Sequence, residues 1–162
     1  MIGNLVAVSP ARLESFVSDP SRVAAFLYPE DGSSEPDNFL DIDKTWHAIH
    51  FTLNGDAWGG EGPLAMTLLG GQEIGEDVGY GPAQFLHPWQ VKEVAIALAG
   101  VDSAEFRERF NPAAMDAAEI YPQMWERDGE EGLEYVLDYY SQLVSFYREA
   151  ADRGDAVLVY LC

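Results

Sequence analysis

Val157-Leu158-Val159-Tyr160-Leu161 is an unbroken apolar run near the end of a 162-residue chain, and its reading decides the fold. A strand with one face in water alternates apolar and polar residues. A strand without alternation is covered on both faces, as in the middle of a layered α/β protein. Leu5-Val6-Ala7-Val8 is a second run of this kind. Most apolar residues between the two recur at helical spacing. The expected fold is therefore α/β: a small central sheet with helices packed on both faces, in three layers, and rich in helix. Hydrophobic residues make up 48% of the chain, with 12% aromatics, which argues against disorder. No internal repeat and no linker divides it, so residues 1–162 are expected to form one domain.

Working outward, five pairs of a capping residue and a proline mark helix starts: Ser9-Pro10, Asp19-Pro20, Gly62-Pro63, His87-Pro88 and Asn111-Pro112. Proline fits the first helical turn because its missing N–H would have no partner there. Asp102 with Glu105, and Asp128 with Glu131, stand at capping-box spacing. After Asp128, Leu133, Val136, Leu137, Tyr140, Leu143 and Tyr147 mark a long amphipathic helix that ends at Gly154. The segment from Val78 to Leu86 is a candidate strand, demoted to an edge or irregular piece by its glycines and Pro82. Tyr28 to Asn38 reads as a loop.

The stretch from Leu40 to Gly55 holds two of the three histidines. It reads as one helix, capped by Asp41 or Asp43 and ended by Gly55 in the left-handed conformation. Ile42, Trp46, Ile49 and Leu53 form its buried stripe.

The charge balance excludes some partners. Twenty-eight acidic residues oppose nine basic ones, a net charge of −19. Nucleic acid and anionic membranes are repelled, because both bind through Lys and Arg. A basic protein partner is permitted. No apolar stretch approaches the roughly 20 residues of a membrane span, and the first residues lack the basic flank of a signal peptide. The one cysteine, Cys162, reads as a frayed terminal thiol in a reducing compartment. The expected location is cytoplasmic, and the sequence sets no oligomeric state.

Motifs that carry chemistry are sparse. His47 and His50, three apart, are close enough on a helix to share a metal, but the H-E-x-x-H zinc signature is absent. Gly79-Tyr80-Gly81 lacks the third glycine of a dinucleotide fingerprint. No phosphate-loop lysine and no G-x-S-x-G elbow occur. No metal and no cofactor are expected. The aromatic set Trp46, Trp58, Tyr80, Trp89, Tyr121 and Trp125 reads as core and interface.

Leu40-Asp41-Ile42-Asp43-Lys44, Trp46, His50 and Gly55 resemble the signature segment of the YfbM-like family of bacterial proteins, whose function is unassigned. The likeness extends to Gly79-Tyr80-Gly81-Pro82-Ala83, to Ile120-Tyr121-Pro122 with Trp125, and from Leu143 to Leu161. The resemblance implies a small α/β fold and brings no catalytic residues with it. It also implies an acidic residue in some members where this chain has His47, which leaves His50 the better candidate.

Three functions are expected to compete. The first is an acidic binding protein that neutralises a basic partner, as immunity proteins do. The second is a hydrolase-type enzyme using His50 with carboxylates such as Asp41, Asp43 or Asp77. The third is a small-ligand or metal sensor near Trp46 and Tyr80.

Overall fold

The terminal apolar run becomes strand β5 (Ala156–Leu161) in the computed structural model, which describes residues 1–29 and 36–162. It joins β1 (Gly3–Val8), β2 (Phe39–Asp41), β3 (Gln72–Asp77) and β4 (Pro82–Leu86) in one sheet of order β2-β1-β5-β4-β3. The run is thus the central strand. Its neighbours are antiparallel on both sides, with Leu5 opposite Val159 and Phe85 opposite Leu158. Lack of alternation here reports burial of both faces, in an antiparallel ladder.

The two faces have separate cores. Val157 and Val159 point into the larger one with Leu5, Ala7 and Leu86. Ala156, Leu158 and Tyr160 point into the smaller one with Val6, Val8 and Phe85. Helices α1 (Pro10–Ser18) and α2 (Arg22–Leu27) cover the smaller core through Leu13, Phe16, Val23 and Leu27. On the other face lie α3 (Trp46–Asn54), α4 (Gly62–Met66), α5 (Pro88–Ala99), α6 (Ser103–Arg109), α7 (Pro112–Ala117) and α8 (Trp125–Arg153). The expected three layers are present. Each fully buried Val or Leu of the central strands contributes about 1.5–3 kcal/mol.

Most helix starts follow the sequence signals. The side chains of Ser9, Asp102 and Asn111 accept from the backbone N–H three residues on. The His87 N–H donates to the Gln90 side chain, so this imidazole position is served by its third neighbour. Asp19-Pro20 forms a turn, and α2 begins two residues later.

Four expectations need correction. The stretch from Leu40 is not one helix. Leu40 pairs with Leu5 on the sheet edge, a 3-10 turn spans Asp43–Thr45, and α3 begins only at Trp46. Asp43 has a φ of 48°, a conformation aspartate tolerates, and its N–H donates to the Asp41 carboxylate. The apolar stripe survives because Ile42, in the turn, is buried beside Trp46 and Ile49. Second, β4 is an interior strand, since Pro82 is its first residue and removes no later ladder bond. Third, α8 starts before Asp128. The Asp116 carboxylate accepts from the Trp125 and Glu126 N–H groups, and Gly129 interrupts the helix with φ 49°. Fourth, Cys162 is not frayed. It exchanges two backbone hydrogen bonds with Ile2, and its Sγ accepts from the Asn4 amide. The expected loop from Tyr28 to Asn38 lies largely outside the described residues.

Gly55 and Gly154 end α3 and α8 in the left-handed conformation, at φ 69° and 74°. A Cβ at Gly55 meets no atom within 4 Å, so only backbone strain opposes it. Gly55→Ala is expected to cost about 1 kcal/mol. A thermal melt reads this as a fall in Tm of about 2–4 °C; an unchanged Tm contradicts the assignment.

Candidate functional site

His47 and His50 sit on α3, a short helix buried on nearly every face. Both rings are buried, at 2% and 1% exposure. A buried imidazole needs partners for both nitrogens, and neighbouring loops supply them.

His47 Nε2 lies 2.9 Å from the Ala57 carbonyl, and its Nδ1 lies 3.0 Å from the Tyr121 backbone N–H. A carbonyl only accepts and a backbone N–H only donates. The proton therefore sits on Nε2, and Nδ1 is a bare acceptor. Protonating Nδ1 would set two N–H groups against each other. His50 repeats the pattern, with Nε2 2.9 Å from the Gly59 carbonyl and Nδ1 3.4 Å from the Asn54 amide nitrogen. Burial pushes both imidazoles below their ordinary pKa. The contacts to Ala57 and Gly59 oppose this; His50 lowers His47 further, and the Asp56 charge opposes the fall at His50.

The carbonyls that the histidines hold belong to the loop between α3 and α4. Asp56 shapes that loop from the other side. Its Oδ1 accepts from the Trp58 N–H at 2.9 Å and the Gly59 N–H at 2.6 Å, and these bonds lower its pKa. Gly60 has a φ of 136°, and a Cβ there would stand 2.8 Å from Asn54 Oδ1. Two histidines, one aspartate and one glycine thus fix five residues of loop.

The fixed loop carries Trp58, whose ring is 65% exposed. Its inner face rests on His47, with centroids 4.5 Å apart. His47 in turn stacks on Trp46 at 4.6 Å, and Trp46 faces Tyr121 at 6.2 Å. The Trp46 Nε1 is buried without a hydrogen-bond partner among the described residues. Trp125 donates from Nε1 to the carbonyl of Ile120, the residue before Tyr121.

The residues expected to form a site do not all meet. Trp46 and His50 belong to this cluster. Asp41 and Asp43 lie at the sheet edge, where Asp43 accepts from the Tyr135 hydroxyl at 2.8 Å. Burial and that bond raise the Tyr135 pKa. Asp77 accepts from the N–H groups of Gly79 and Gly81 and so builds the β3–β4 turn. Tyr80 is on that turn, 60% exposed, with its N–H bonded to Leu161. Among the described residues no hydrogen bond or ring contact joins Asp77 or Tyr80 to His50. The carboxylate whose charge reaches His50 is Asp56. No group of three His, Cys, Asp or Glu side chains among the described residues is placed to hold a metal ion.

Asp56, Trp58 and Tyr121 are the members that the sequence did not single out as a group. The turn at Asp56 is legible after the fact, because Asp-x-Trp-Gly places a carboxylate two and three residues before the N–H groups it accepts from. The Tyr121 contact has no local signal.

The depressed histidine pKa values have a consequence for stability. Their unfolded value is about 6.5. Between that value and the lower folded value the unfolded chain binds more protons, so stability rises with pH. The contribution is complete above about pH 6.5 and declines as pH falls below it, by up to about 1.4 kcal/mol per pH unit for each histidine. Melting wild type and His50→Gln between pH 7.5 and 5 isolates this slope, since the carboxylate background is common to both. The wild type should lose more stability on acidification. Equal slopes contradict neutral burial of His50.

The comparisons with known proteins point one way. The family model described as "Domain of unknown function (DUF1877)" matches residues 1–160. Protein YfbM of Escherichia coli strain K12 is 30% identical over 131 residues, which span 75% of each chain. The crystal structure of YfbM from Escherichia coli, titled a protein of unknown function, superposes with a TM-score of 0.76 at 23% identity and covers 98% of both chains. At that identity the structural match speaks for the fold. With residues 1–160 matched by the family model and YfbM 30% identical, the chain belongs to the DUF1877 family.

Proposed function

We propose that this chain is an acidic binding protein that neutralises a basic protein partner, in the manner of an immunity protein. One observation carries the reading: Trp58 is held open to solvent on a loop that four residues immobilise. Pre-ordered aromatic side chains are the usual anchors of protein interfaces, because little entropy remains to be lost when they bind. Asp56 and Glu61 flank the anchor within a chain of net charge −19. Opposite charge steers a basic partner towards such a surface.

The same geometry weighs against the enzyme reading. A general base must reach its substrate, and the His50 ring is 1% exposed with both nitrogens engaged.

The test is capture of a basic protein from lysate of the source cell on immobilised wild type and Trp58→Ala. The expected result is a partner retained by wild type at low salt, weakened at high salt and lost with Trp58→Ala. No partner at either salt concentration overturns the proposal.

A further inference from the structure

Helix α5 carries two apolar stripes. Val91, Val94 and Leu98 face the core and are buried. Ala95, Ile96 and Ala99 follow Lys92 at helical spacing on the outer side, and Ile96 is 75% exposed. Arg148, Ala151 and Asp152 of α8 form the opposite wall. Together they enclose an open groove of about 390 Å³. Its alanines leave room between two helices for the side chains of a third.

Two cations and one carboxylate stand in the lining of this groove. Of nine cationic side chains, Arg107, Arg109, Arg127 and Arg153 are tied to carboxylates. Among the described residues Arg12, Arg22, Lys44, Lys92 and Arg148 make no ion pair; Lys92 and Arg148 line this groove, and Arg12 and Arg22 line another beside Phe16 and Phe26. On a surface of net charge −19, an acidic ligand that packs on Ile96 meets two unpaired cations, Lys92 and Arg148.

We propose that the α5–α8 groove takes an amphipathic helix of a partner whose apolar stripe is flanked by acidic residues. The stripe packs on Ala95, Ile96 and Ala99, and the flanking carboxylates meet Lys92 and Arg148. Helix-in-groove recognition uses this spacing of anchors, and the two cations reject a basic helix. This surface is separate from Trp58 and does not depend on the function proposed for that loop.

The probe is a designed peptide of about 18 residues, long enough to form a helix, with leucines at helical spacing and flanking glutamates. A second peptide carries lysines instead. Amide chemical shifts of the labelled protein report the site. The glutamate peptide is expected to shift Ala95, Ile96, Ala99 and Ala151. The exposed double variant Lys92→Glu/Arg148→Glu should bind it about tenfold more weakly or worse. Three results overturn the proposal: no shift at these residues, equal binding of the lysine peptide, or shifts in the groove that grow with protein concentration alone. The last would mean that a second copy occupies the groove.

Discussion

His47→Ala is expected to destabilise the fold by about 3–5 kcal/mol, among the largest costs of any single substitution in the chain. Two effects add. Removing a ring that stacks on Trp46 leaves a cavity in a dense aromatic layer. It also strips the Tyr121 N–H and the Ala57 carbonyl of their partner, and each unpaired buried group costs about 1–3 kcal/mol. For a chain of this length the loss should lower Tm by roughly 10 °C. Denaturant unfolding followed by circular dichroism measures it. A loss below about 1 kcal/mol would mean that the loop does not depend on His47.

Trp58→Ala is expected to do the opposite. Its ring is mostly in water, so stability should change by less than about 1 kcal/mol. Affinity for the captured partner should fall by 2 kcal/mol or more, roughly thirtyfold, as for a central interface anchor. Calorimetry of binding beside a thermal melt separates the two. Equal losses in both, or none in affinity, would remove Trp58 from the interface.

The contrast between these substitutions is the logic of the site: one residue fixes the loop and another is displayed by it. Part of this was legible in the sequence. The run from Val157 to Leu161 disclosed a doubly covered strand because burial is written in the residue types themselves. Gly55, Gly154, Ser9 and Asn111 disclosed helix ends because capping is local. Strand direction was not legible, since an unbroken apolar run suits a buried strand of either sense. The break between Leu40 and Trp46 was hidden for a different reason. Ile42, Trp46 and Ile49 keep helical spacing, and only the pairing of Leu40 with Leu5, thirty-five positions away, pulls the chain into the sheet.

The histidines are visible in the sequence as residues, and their hydrogen-bond partners are not. Their spacing admits a shared metal, and His50 with nearby carboxylates admits a hydrolase-type base. Their actual partners are carbonyls 9 and 10 residues ahead and an amide 74 residues ahead. Only Asn54, at 3.4 Å, is a close neighbour in sequence. Asp41, Asp43 and Asp77 were equally visible, and each accepts hydrogen bonds that shape its own turn or sheet edge. An acidic chain offers many carboxylates, and turn geometry uses them before chemistry can.

The claim that His47 and His50 hold the loop as neutral, immobile rings is tested most directly by nitrogen-15 NMR of the imidazoles across pH 5.5 to 8. The result expected is two rings that remain neutral at pH 6.5 with the proton on Nε2, each Nε2–H protected from solvent exchange. Two rings that protonate at the ordinary histidine value, or that carry the proton on Nδ1, would contradict it.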